Sequence, residues 1–441
     1  MKMRFTDRLL LCVLVFYLMF GYSAQVVTIG GIPMAEIVIA FGGMIYLKDI
    51  LAKKMDKGTK IASMAILVSG LYAAIKLSFD IDENGFFAIR DASHYIEMFA
   101  FFVGYGCVLR NPSLDWGKLT RRFFWIMALY FCFYFLKAIA PGVVPEVSNP
   151  HGESVSLLSY VAFPSVMFAV GFASLIRSPA VMGGGRKRAL VAFFAIILAV
   201  QLFQARILYF QLFACLIVGI YLRPRWMLYA PYMLLASLAL LVVMAPLGQE
   251  FGRLGVSLDI DTLGSHFLSI LGIEEGPFAA SASGVDLRFE WWRDIFNKLM
   301  ASPYNLTFGL GFGMPLTPFE ITGGIAVREV HNSVISIAGR QGVFGLSIVG
   351  LIWAVLAVRI AATMMKIKKR VQQHDYVVVT ISLFLINTWI FSTAEDAFEK
   401  PCFAFPFYML AGILFALTRK TGSAGAAGAR NYRVMRLSAA S

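Results

Sequence analysis

The chain is poor in charged residues and in cysteine, and both scarcities narrow what it can be. Charged residues make up 15% of the 441 residues, whereas soluble domains average roughly 25%. Hydrophobic residues reach 59%, with a mean hydropathy of +0.73, which disfavours a water-soluble protein. The five cysteines lie far apart, without the close spacing of a metal site or a disulfide framework. We therefore expect free thiols that serve only in packing.

Long apolar runs occupy most of the sequence. A helix needs about 20 apolar residues to cross a bilayer, so the chain has room for about a dozen crossings. We predict an all-α fold, a polytopic integral membrane protein with about 12 transmembrane helices and one large outer loop that contains short helices. The predicted spans are Leu9–Tyr22, Gly31–Leu47, Ile61–Leu77, Tyr95–Leu109, Phe123–Ala140, Leu157–Ile176, Leu190–Gln204, Ile207–Leu222, Trp226–Leu247, Ser333–Val358, Tyr376–Phe391 and Phe403–Leu417.

Basic residues are concentrated in particular loops between these spans. By the positive-inside rule such loops face the cytoplasm, and this orientation also places both termini there. The net charge of +13 then reflects membrane topology, so we do not expect a nucleic-acid partner. The clustered basic residues are Lys48, Lys53, Lys54, Lys57 and Lys60, then Arg110, Lys118, Arg121 and Arg122, then Arg186, Lys187 and Arg188, and finally Lys366, Lys368, Lys369 and Arg370.

The spans and loops divide the chain into four predicted regions. Residues 1–247 hold helices 1–9, residues 248–332 form the large outer loop, residues 333–420 hold helices 10–12, and residues 421–441 form a disordered cytoplasmic tail. The basic N-terminus and its apolar run are similar to a secretory signal. The bulky Tyr22, however, stands where cleavage after Ala24 requires a small residue, which favours a retained first helix.

The segment Ala189–Leu222 predicts a helical hairpin. As a single helix its 34 residues would be about 51 Å long, whereas the hydrocarbon core measures about 30 Å. Basic residues flank both ends, so the chain must turn near Gln201–Arg206. Arg206 is then expected at the outer boundary of the membrane, either as a contact for lipid headgroups or as a ligand for an anion.

The outer loop contains an amphipathic helix with Asp286 as its expected N-cap and Ser302-Pro303 as its stop. Arg288 lies in the first turn of this predicted helix, and Trp291 is expected to mark the membrane interface. A glycine-rich turn, Gly309-Leu310-Gly311-Phe312-Gly313, comes next. It is either a tight turn or a segment whose backbone N–H groups approach an anion.

His331 and Asn332 stand at the outer end of the next predicted span. A histidine titrates near neutral pH and is suited to general-base catalysis, although such a residue is also common in packing. Asn332 is a candidate site residue, and it is equally an expected N-cap for the helix that follows.

In their order along the chain, these segments resemble the O-antigen ligase and O-antigen polymerase superfamily of bacterial membrane glycosyltransferases. The resemblance extends over Leu190–Val358 and rests on four local patterns, followed by glycines at 342 and 345. The N-terminal part is similar in hydropathy alone, and the short loop Gly142–Val155 lacks the arginine that some O-antigen polymerases carry there. The patterns are the hairpin with Gln204-Ala205-Arg206, the Arg-then-Trp helix at Leu287–Trp292, the Ser-Pro and glycine-rich turn, and the His331-Asn332 dipeptide.

The resemblance implies transfer of a glycan from an undecaprenyl diphosphate carrier to an acceptor hydroxyl on the periplasmic face of the inner membrane. It implies no metal, nucleotide sugar or other cofactor. Arg206 and Arg288 are the expected diphosphate ligands, because paired guanidinium groups neutralise a departing diphosphate. His331 is the expected base. The expected substrate-binding residues are Asn332, Trp291, Gly309, Gly311 and Gly313.

The acceptor stays open between another lipid-linked glycan, a lipid A core and a protein hydroxyl. Membrane lipids and other polysaccharide assembly proteins are the remaining expected partners. A polytopic transporter of an envelope polysaccharide or a small solute is the alternative function, and a non-enzymatic assembly component is a third. Four charged residues are weaker candidates for a direct role. Glu36 is expected to pair with a neighbouring helix and Lys137 to snorkel, whereas in a transporter both would belong to a proton or ion path. Arg293 and Arg328 are expected to be solvated loop charges.

Overall fold

Apolar helices form most of the structure, as the hydropathy pattern predicts. The computed structural model of the protein is mostly helical (84%). The residues described are 3–29, 32–139, 144, 146–148, 154–156, 158, 163–176, 191–196, 206–224, 235, 279–317, 320–321, 325–326, 328, 330–369 and 375–419. The predicted hairpin turn over 201–205 and the predicted tail over 421–441 lie outside this set.

Fourteen helices with a named range, a 3₁₀ turn and three short antiparallel hairpins make up the described elements. The helices are α1 (Phe5–Phe20), α2 (Tyr22–Gln25), α3 (Met34–Ala52), α4 (Lys57–Asn84), α5 (Phe86–Glu97), α6 (Ala100–Arg110), α7 (Trp116–Ile139), α8 (Phe163–Ile176), α9 (Arg206–Leu222), α10 (Ala279–Met300), α11 (Pro303–Phe308), α12 (Ser333–Lys369), α13 (Asp375–Ser392) and α14 (Pro401–Thr418), with the 3₁₀ turn at Ala397–Glu399. The hairpins pair β1 (Thr28–Ile29) with β2 (Ile32–Pro33), β3 (Glu146–Ser148) with β4 (Ser154–Ser156), and β5 (Glu320–Ile321) with β6 (Ile325–Ala326).

Four helical stretches among the described residues are long and apolar enough to cross a membrane. They are Lys57–Asn84, Phe86–Arg110, Ser333–Lys368 and Pro401–Thr418, and three shorter apolar helices are Pro164–Ile176, Ile207–Leu222 and Tyr376–Ser392. On α4, the apolar side chains of Leu71, Ile75 and Phe79 are 63%, 51% and 75% exposed, as a lipid-facing surface requires. The structure therefore supports a helical membrane protein, while the number of 12 spans stays a prediction.

The span predicted at Tyr95–Leu109 differs in the structure. It consists of α5 and α6, which are separated by a turn at residues 98–99. Asp91, His94 and Glu97 recur every third residue on α5 and are only 7%, 2% and 0% exposed. Asp91 and His94 lower the local hydropathy, and for this reason the predicted span began at Tyr95.

Two further predicted helix boundaries differ from those in the structure. The expected N-cap Asp286 lies inside α10, which begins at Ala279 because the preceding alanines and serines tolerate a helix. Ser302 does end this helical region, and its side chain accepts a hydrogen bond from the Asn305 N–H as the N-cap of α11. The span beginning at Ser333 is broken at Gly342, where the backbone has a φ of 65° and a ψ of −168°.

Small residues bring the central helices together. On α6, a Cβ at Gly104 would collide with the Met409 carbonyl of α14, and a Cβ at Gly412 of α14 would collide with the Phe101 carbonyl of α6. Glycines at such crossings let two backbones approach closely, which is how helices associate in lipid. This pair of helices forms the centre of the bundle.

The bundle has two chemically different ends. At one end the Asp7 carboxylate accepts hydrogen bonds from Tyr46 and Asn111, and Lys53 donates to the Leu109 carbonyl. The loops around these contacts are the ones that the charge pattern assigns to the cytoplasm. The other end, where α4 and α13 finish and α12 and α14 begin, is called the His331 end below.

Candidate functional site

Two loop segments meet at the His331 end. One is the His331-Asn332 pair before α12, and the other is the connection from α13 to α14, residues 393–400. The Asp396 carboxylate accepts the N–H groups of His331 at 3.0 Å and of Asn332 at 2.9 Å. His331 has a φ of 53°, and it is the one non-glycine residue with positive φ in the described part of the chain. Such backbone strain is common at functional sites, where surrounding contacts must hold it.

Asn332 is the N-cap of α12, so that expectation is confirmed. Its side-chain oxygen accepts hydrogen bonds from the N–H groups of Val334 and Ile335, at 3.0 and 3.1 Å. Its amide nitrogen donates to the Thr393 carbonyl at 3.1 Å. The side chain of Asn332 therefore has a structural task, and it also joins the two loop segments.

The His331 ring faces an acidic side chain. Its Nδ1 atom lies 3.0 Å from Oε2 of Glu395, and Nζ of Lys400 lies 3.9 Å from the same oxygen. Burial by itself would raise the pKa of Glu395. The hydrogen bond from His331 and the charges of His331, Lys400 and Arg288 outweigh this effect and lower that pKa below its ordinary value. Glu395 is therefore an anion, and it orients the imidazole so that Nε2 is the ring nitrogen left for a substrate.

Helix α10 places two of the predicted site residues beside His331 and Glu395. Arg288 donates from a guanidinium nitrogen to the Ala394 carbonyl at 3.3 Å, directly beside Glu395. The Trp291 ring lies nearly parallel to the His331 ring, with centroids 6.3 Å apart and an angle of 21° between the planes. The indole N–H of Trp292 donates to the Val330 carbonyl at 2.9 Å and fixes α10 against the chain before His331.

The glycine-rich turn makes internal contacts. The N–H groups of Phe312 and Gly313 bind the carboxylates of Asp80 and Asp91, at 2.7 and 2.9 Å. The N–H groups at positions 309, 310 and 311 donate to the carbonyls of residues 305, 339 and 340. The backbone does approach anions, as one of the two interpretations proposed, but these anions belong to the protein itself.

Close packing explains why glycines stand at this turn. Added Cβ atoms at Gly309 and Gly313 would collide with the backbone of Arg340 and with the side chain of Asn84. The φ values at Gly309, Gly311 and Gly313 are 78°, 110° and 83°, which side-chain-bearing residues rarely adopt. The turn thus packs closely against the first part of α12 and the end of α4.

A buried arginine connects the turn with the His331 site. Arg340 is 1% exposed and donates to the Asp91 carboxylate, to Glu399 at 3.2 Å and to the Met314 carbonyl at 3.2 Å. Glu399 also accepts a hydrogen bond from Ser336. Since Glu399 follows Glu395 and Asp396 by a few residues, this network fixes the loop that holds His331.

Arg328 also belongs to this network, and its prediction as a solvated loop charge is wrong. It is 13% exposed, forms an ion pair with Asp91 and lies over the Phe87 ring. Arg293 is exposed on α10, as predicted. Glu36 was expected to pair with a neighbouring helix, but among the described residues its buried Oε2 atom has no hydrogen-bond partner. The side chain of Lys137 lies outside the described set.

Arg206 is the first residue of α9, and its side chain is not among those described. Gln211 of α9 donates to the Asn387 carbonyl of α13, and Lys368 lies over the Tyr221 ring near the opposite end of the bundle. Helices α9 and α13 therefore run antiparallel. The start of α9 and the end of α13 share the His331 end, so the structure places the backbone of Arg206 on the same side as Arg288 and His331.

Sequence reasoning missed Glu395, Asp396 and Arg340. An acidic dipeptide directly after the predicted span Tyr376–Phe391, on the same predicted side as His331, was the available signal. Arg340 lay within a predicted span, where an intramembrane charge indicates a buried partner. Identifying that partner as Asp91 requires the fold, because 249 residues separate the two.

None of the five cysteines forms a disulfide in the structure. Within the described residues, no group of three or more histidine, cysteine, aspartate or glutamate side chains is arranged to hold a metal ion. No protein-family model and no curated protein matches the chain.

Proposed function

We propose that this chain is an O-antigen ligase-like or polymerase-like glycosyltransferase of the bacterial inner membrane. It transfers a glycan from undecaprenyl diphosphate to an acceptor hydroxyl at the His331 end, which faces the periplasm. One observation carries the proposal. His331, Arg288 and Trp291 come from segments about 40 residues apart along the chain, and they meet around the anionic Glu395.

The histidine and the glutamate supply the base. Nδ1 of His331 lies 3.0 Å from the Glu395 carboxylate, and in the tautomer that donates this hydrogen bond the lone pair of Nε2 points away from the carboxylate. The acceptor hydroxyl attacks the anomeric carbon, and its proton passes to Nε2 as the new glycosidic bond forms. Glu395 stabilises the resulting imidazolium, as the carboxylate does in other carboxylate–histidine pairs. The bond from the sugar to the diphosphate breaks, and the diphosphate leaves with the electron pair.

The arginines neutralise the leaving group. Arg288 uses one N–H on the Ala394 carbonyl, which orients the guanidinium while its other N–H groups stay available for phosphate oxygens. Arg206 supplies the second guanidinium from the start of α9. Two such groups stabilise the developing diphosphate charge, and no metal is needed for this step.

The remaining predicted residues support the site in different ways. Asn332 positions His331 by capping α12, and Trp291 provides a flat apolar surface beside the imidazole, which is suited to a sugar ring. The glycines at 309, 311 and 313 hold α11 and α12 in register, because their N–H groups are engaged within the protein.

The test is reconstitution of the purified protein with a lipid-diphosphate oligosaccharide and a candidate acceptor. Transfer of the glycan with release of the lipid diphosphate supports the proposal, and the His331→Ala variant is the inactive control. Surface glycans of a deletion strain then assign the acceptor. Unattached long chains on the carrier lipid indicate a ligase, and single-repeat products indicate a polymerase. Absence of transfer to any of the three acceptor classes contradicts the proposal.

A transporter is the second candidate, and one observation favours it. The stretch Phe86–Arg110 is interrupted at residues 98–99, next to the buried Glu97, and transporters place binding groups at such breaks. In the same vesicles, solute flux without glycan transfer would support the transporter and would contradict the enzyme.

A further inference from the structure

Two carboxyl groups lie buried away from the His331 site. Glu97, the last residue of α5, is 0% exposed, and neither of its carboxyl oxygens forms a hydrogen bond of normal geometry among the described residues. The Phe405 N–H of α14 is the backbone group that interacts with this carboxyl. Glu36, in the first turn of α3, is half-buried, and its Oε2 is also buried without a partner. Helix α3 packs against α5, and the two carboxyls are close enough to interact electrostatically, so they are considered together below.

The surroundings of the pair contain hydroxyl and thiol groups. Tyr17 of α1 interacts electrostatically with both carboxyls, and its hydroxyl oxygen accepts the Ala35 N–H at 3.2 Å. Tyr408 of α14 interacts electrostatically with Glu97, and Cys402 in the first turn of the same helix interacts in this way with Tyr17. Tyr408 is 1% exposed, and its hydroxyl lies beside the Trp353 indole and forms no hydrogen bond of normal geometry among the described residues. Its donor is thus left for a nearby acceptor.

No described lysine or arginine forms an ion pair with either carboxyl. The buried acids elsewhere differ: Asp91 is paired with Arg340 and Arg328, and Asp7 lies near Arg110. Glu399, on the 3₁₀ turn beside α5, interacts electrostatically with His94 and Tyr95, and its own charge is paired with Arg340. An unpaired buried carboxylate is costly, and a second one beside it adds repulsion. The site therefore needs a positive charge that the side chains do not provide.

We propose that Glu36 and Glu97 form a proton-binding site, in which Glu97 is a neutral acid at neutral pH and Glu36 exchanges the second proton with the solution. Glu36 stands at the start of α3 and is only half-buried, whereas Glu97 is fully buried. Tyr17 and Tyr408 supply hydroxyl groups to whichever oxygen is charged. The proposal is independent of the glycosyltransferase assignment.

Infrared spectroscopy of the full-length protein in lipid nanodiscs tests the proposal directly. Wild type at neutral pH should show the carbonyl stretch of a protonated carboxylic acid, shifted in heavy water. The Glu97→Gln variant should lose this band, because glutamine keeps the shape of the neutral acid without its proton. The Glu36→Gln variant should keep the band but titrate differently, because the neighbouring charge is gone. Glu83→Gln, at an exposed acid of α4, is the matched control and should leave the spectrum unchanged.

Three outcomes would overturn the proposal. Wild type at neutral pH could show no protonated carboxyl, or Glu97→Gln could keep the whole band. The band could also vanish when potassium is replaced by sodium, which would identify a sodium site instead. If Glu97→Gln does not give monodisperse protein, wild type and Glu36→Gln are compared alone, and identical pH profiles for their bands would refute the pair.

Discussion

Hydrogen bonds hold both the backbone and the side chain of His331 in place. Asp396 binds two consecutive N–H groups and supports a left-handed residue, while Glu395 binds the imidazole. Side-chain replacements at His331 therefore leave most of the loop contacts in place. This separation of backbone and side-chain contacts makes the residue suitable for a mutational test.

At His331 we expect both Ala and Gln variants to fold and to lose glycan transfer by about 10²–10⁴-fold, the usual contribution of a general base. Rates on a lipid-linked glycan, with expression and monodispersity matched, provide the measurement. If the Gln variant transfers at nearly the native rate, His331 is a packing residue and the base lies elsewhere.

Arg288 should not tolerate lysine, because lysine keeps the charge but loses the planar fork that binds two oxygens. We expect a rate loss of about 10²–10³-fold in Arg288→Lys, corresponding to roughly 2–4 kcal/mol of transition-state stabilisation, and the same in Arg206→Lys. Arg293→Lys, at an exposed position on the same helix as Arg288, is the control and should be near native. Equal activity of all three variants would reduce the arginines to interface anchors.

Glu395 should make the thermal stability of the protein depend on pH in the acidic range. The pKa of Glu395 is lowered by His331, Lys400 and Arg288 against the effect of burial, so its contribution is present above the unfolded-state pKa of about 4.3. That contribution disappears as the pH falls through the folded-state value. The midpoint of thermal unfolding should therefore fall on acidification, and Glu395→Gln should show a smaller fall. If the midpoint falls equally on acidification in wild type and in Glu395→Gln, the carboxylate of Glu395 is not stabilised in the folded protein.

At the scale of elements, α12 is two helices joined at Gly342. The break lets the first part of α12 lie across the glycine-rich turn, with Gly342 against the Thr307 carbonyl. A Cβ at Gly342 would meet this backbone at a φ of 65°, whereas a Cβ at Gly350 on the same helix would meet nothing within 4 Å.

Gly342→Ala should therefore lower the free energy of unfolding by about 1–3 kcal/mol through overpacking and backbone strain. Gly350→Ala should be neutral or stabilising by up to about 1 kcal/mol, since alanine favours a helix. Thermal unfolding in detergent compares the two variants with wild type. Equal midpoints for both alanine variants would show that the break is not constrained by the turn.

The elements also show what a sequence can predict in a membrane protein. Hydropathy located α4, α12, α13 and α14, because long apolar runs must form helices in lipid. It missed the polar face of α5, where Asp91 is stabilised by arginines that come from distant parts of the chain. Local patterns likewise identified His331, Arg288 and Asn332, but the partners Glu395 and Asp396 became evident only when α13 and α14 were placed beside α12.

For the whole molecule, the separation of charge between the two ends is the main property. The loops that are rich in basic residues lie at the end with Asp7, Lys53 and Arg110, whereas His331, Arg288 and the start of α9 lie at the other. A membrane enzyme that uses a lipid-borne diphosphate needs its cationic groups at one membrane face. The proposed function therefore requires the His331 end to lie on the periplasmic side of the membrane.

Cysteine labelling of cells measures this side. In a variant without the five native cysteines, Gln204→Cys should react with an impermeant thiol reagent from the outside, because position 204 immediately precedes α9 at the His331 end. Ser113→Cys, in the exposed loop between α6 and α7, should react only after the membrane is permeabilised. If Gln204→Cys is labelled only from the cytoplasm, the predicted hairpin is wrong. If both positions exchange their accessibility, the whole bundle is inverted and the acceptor cannot be a periplasmic hydroxyl.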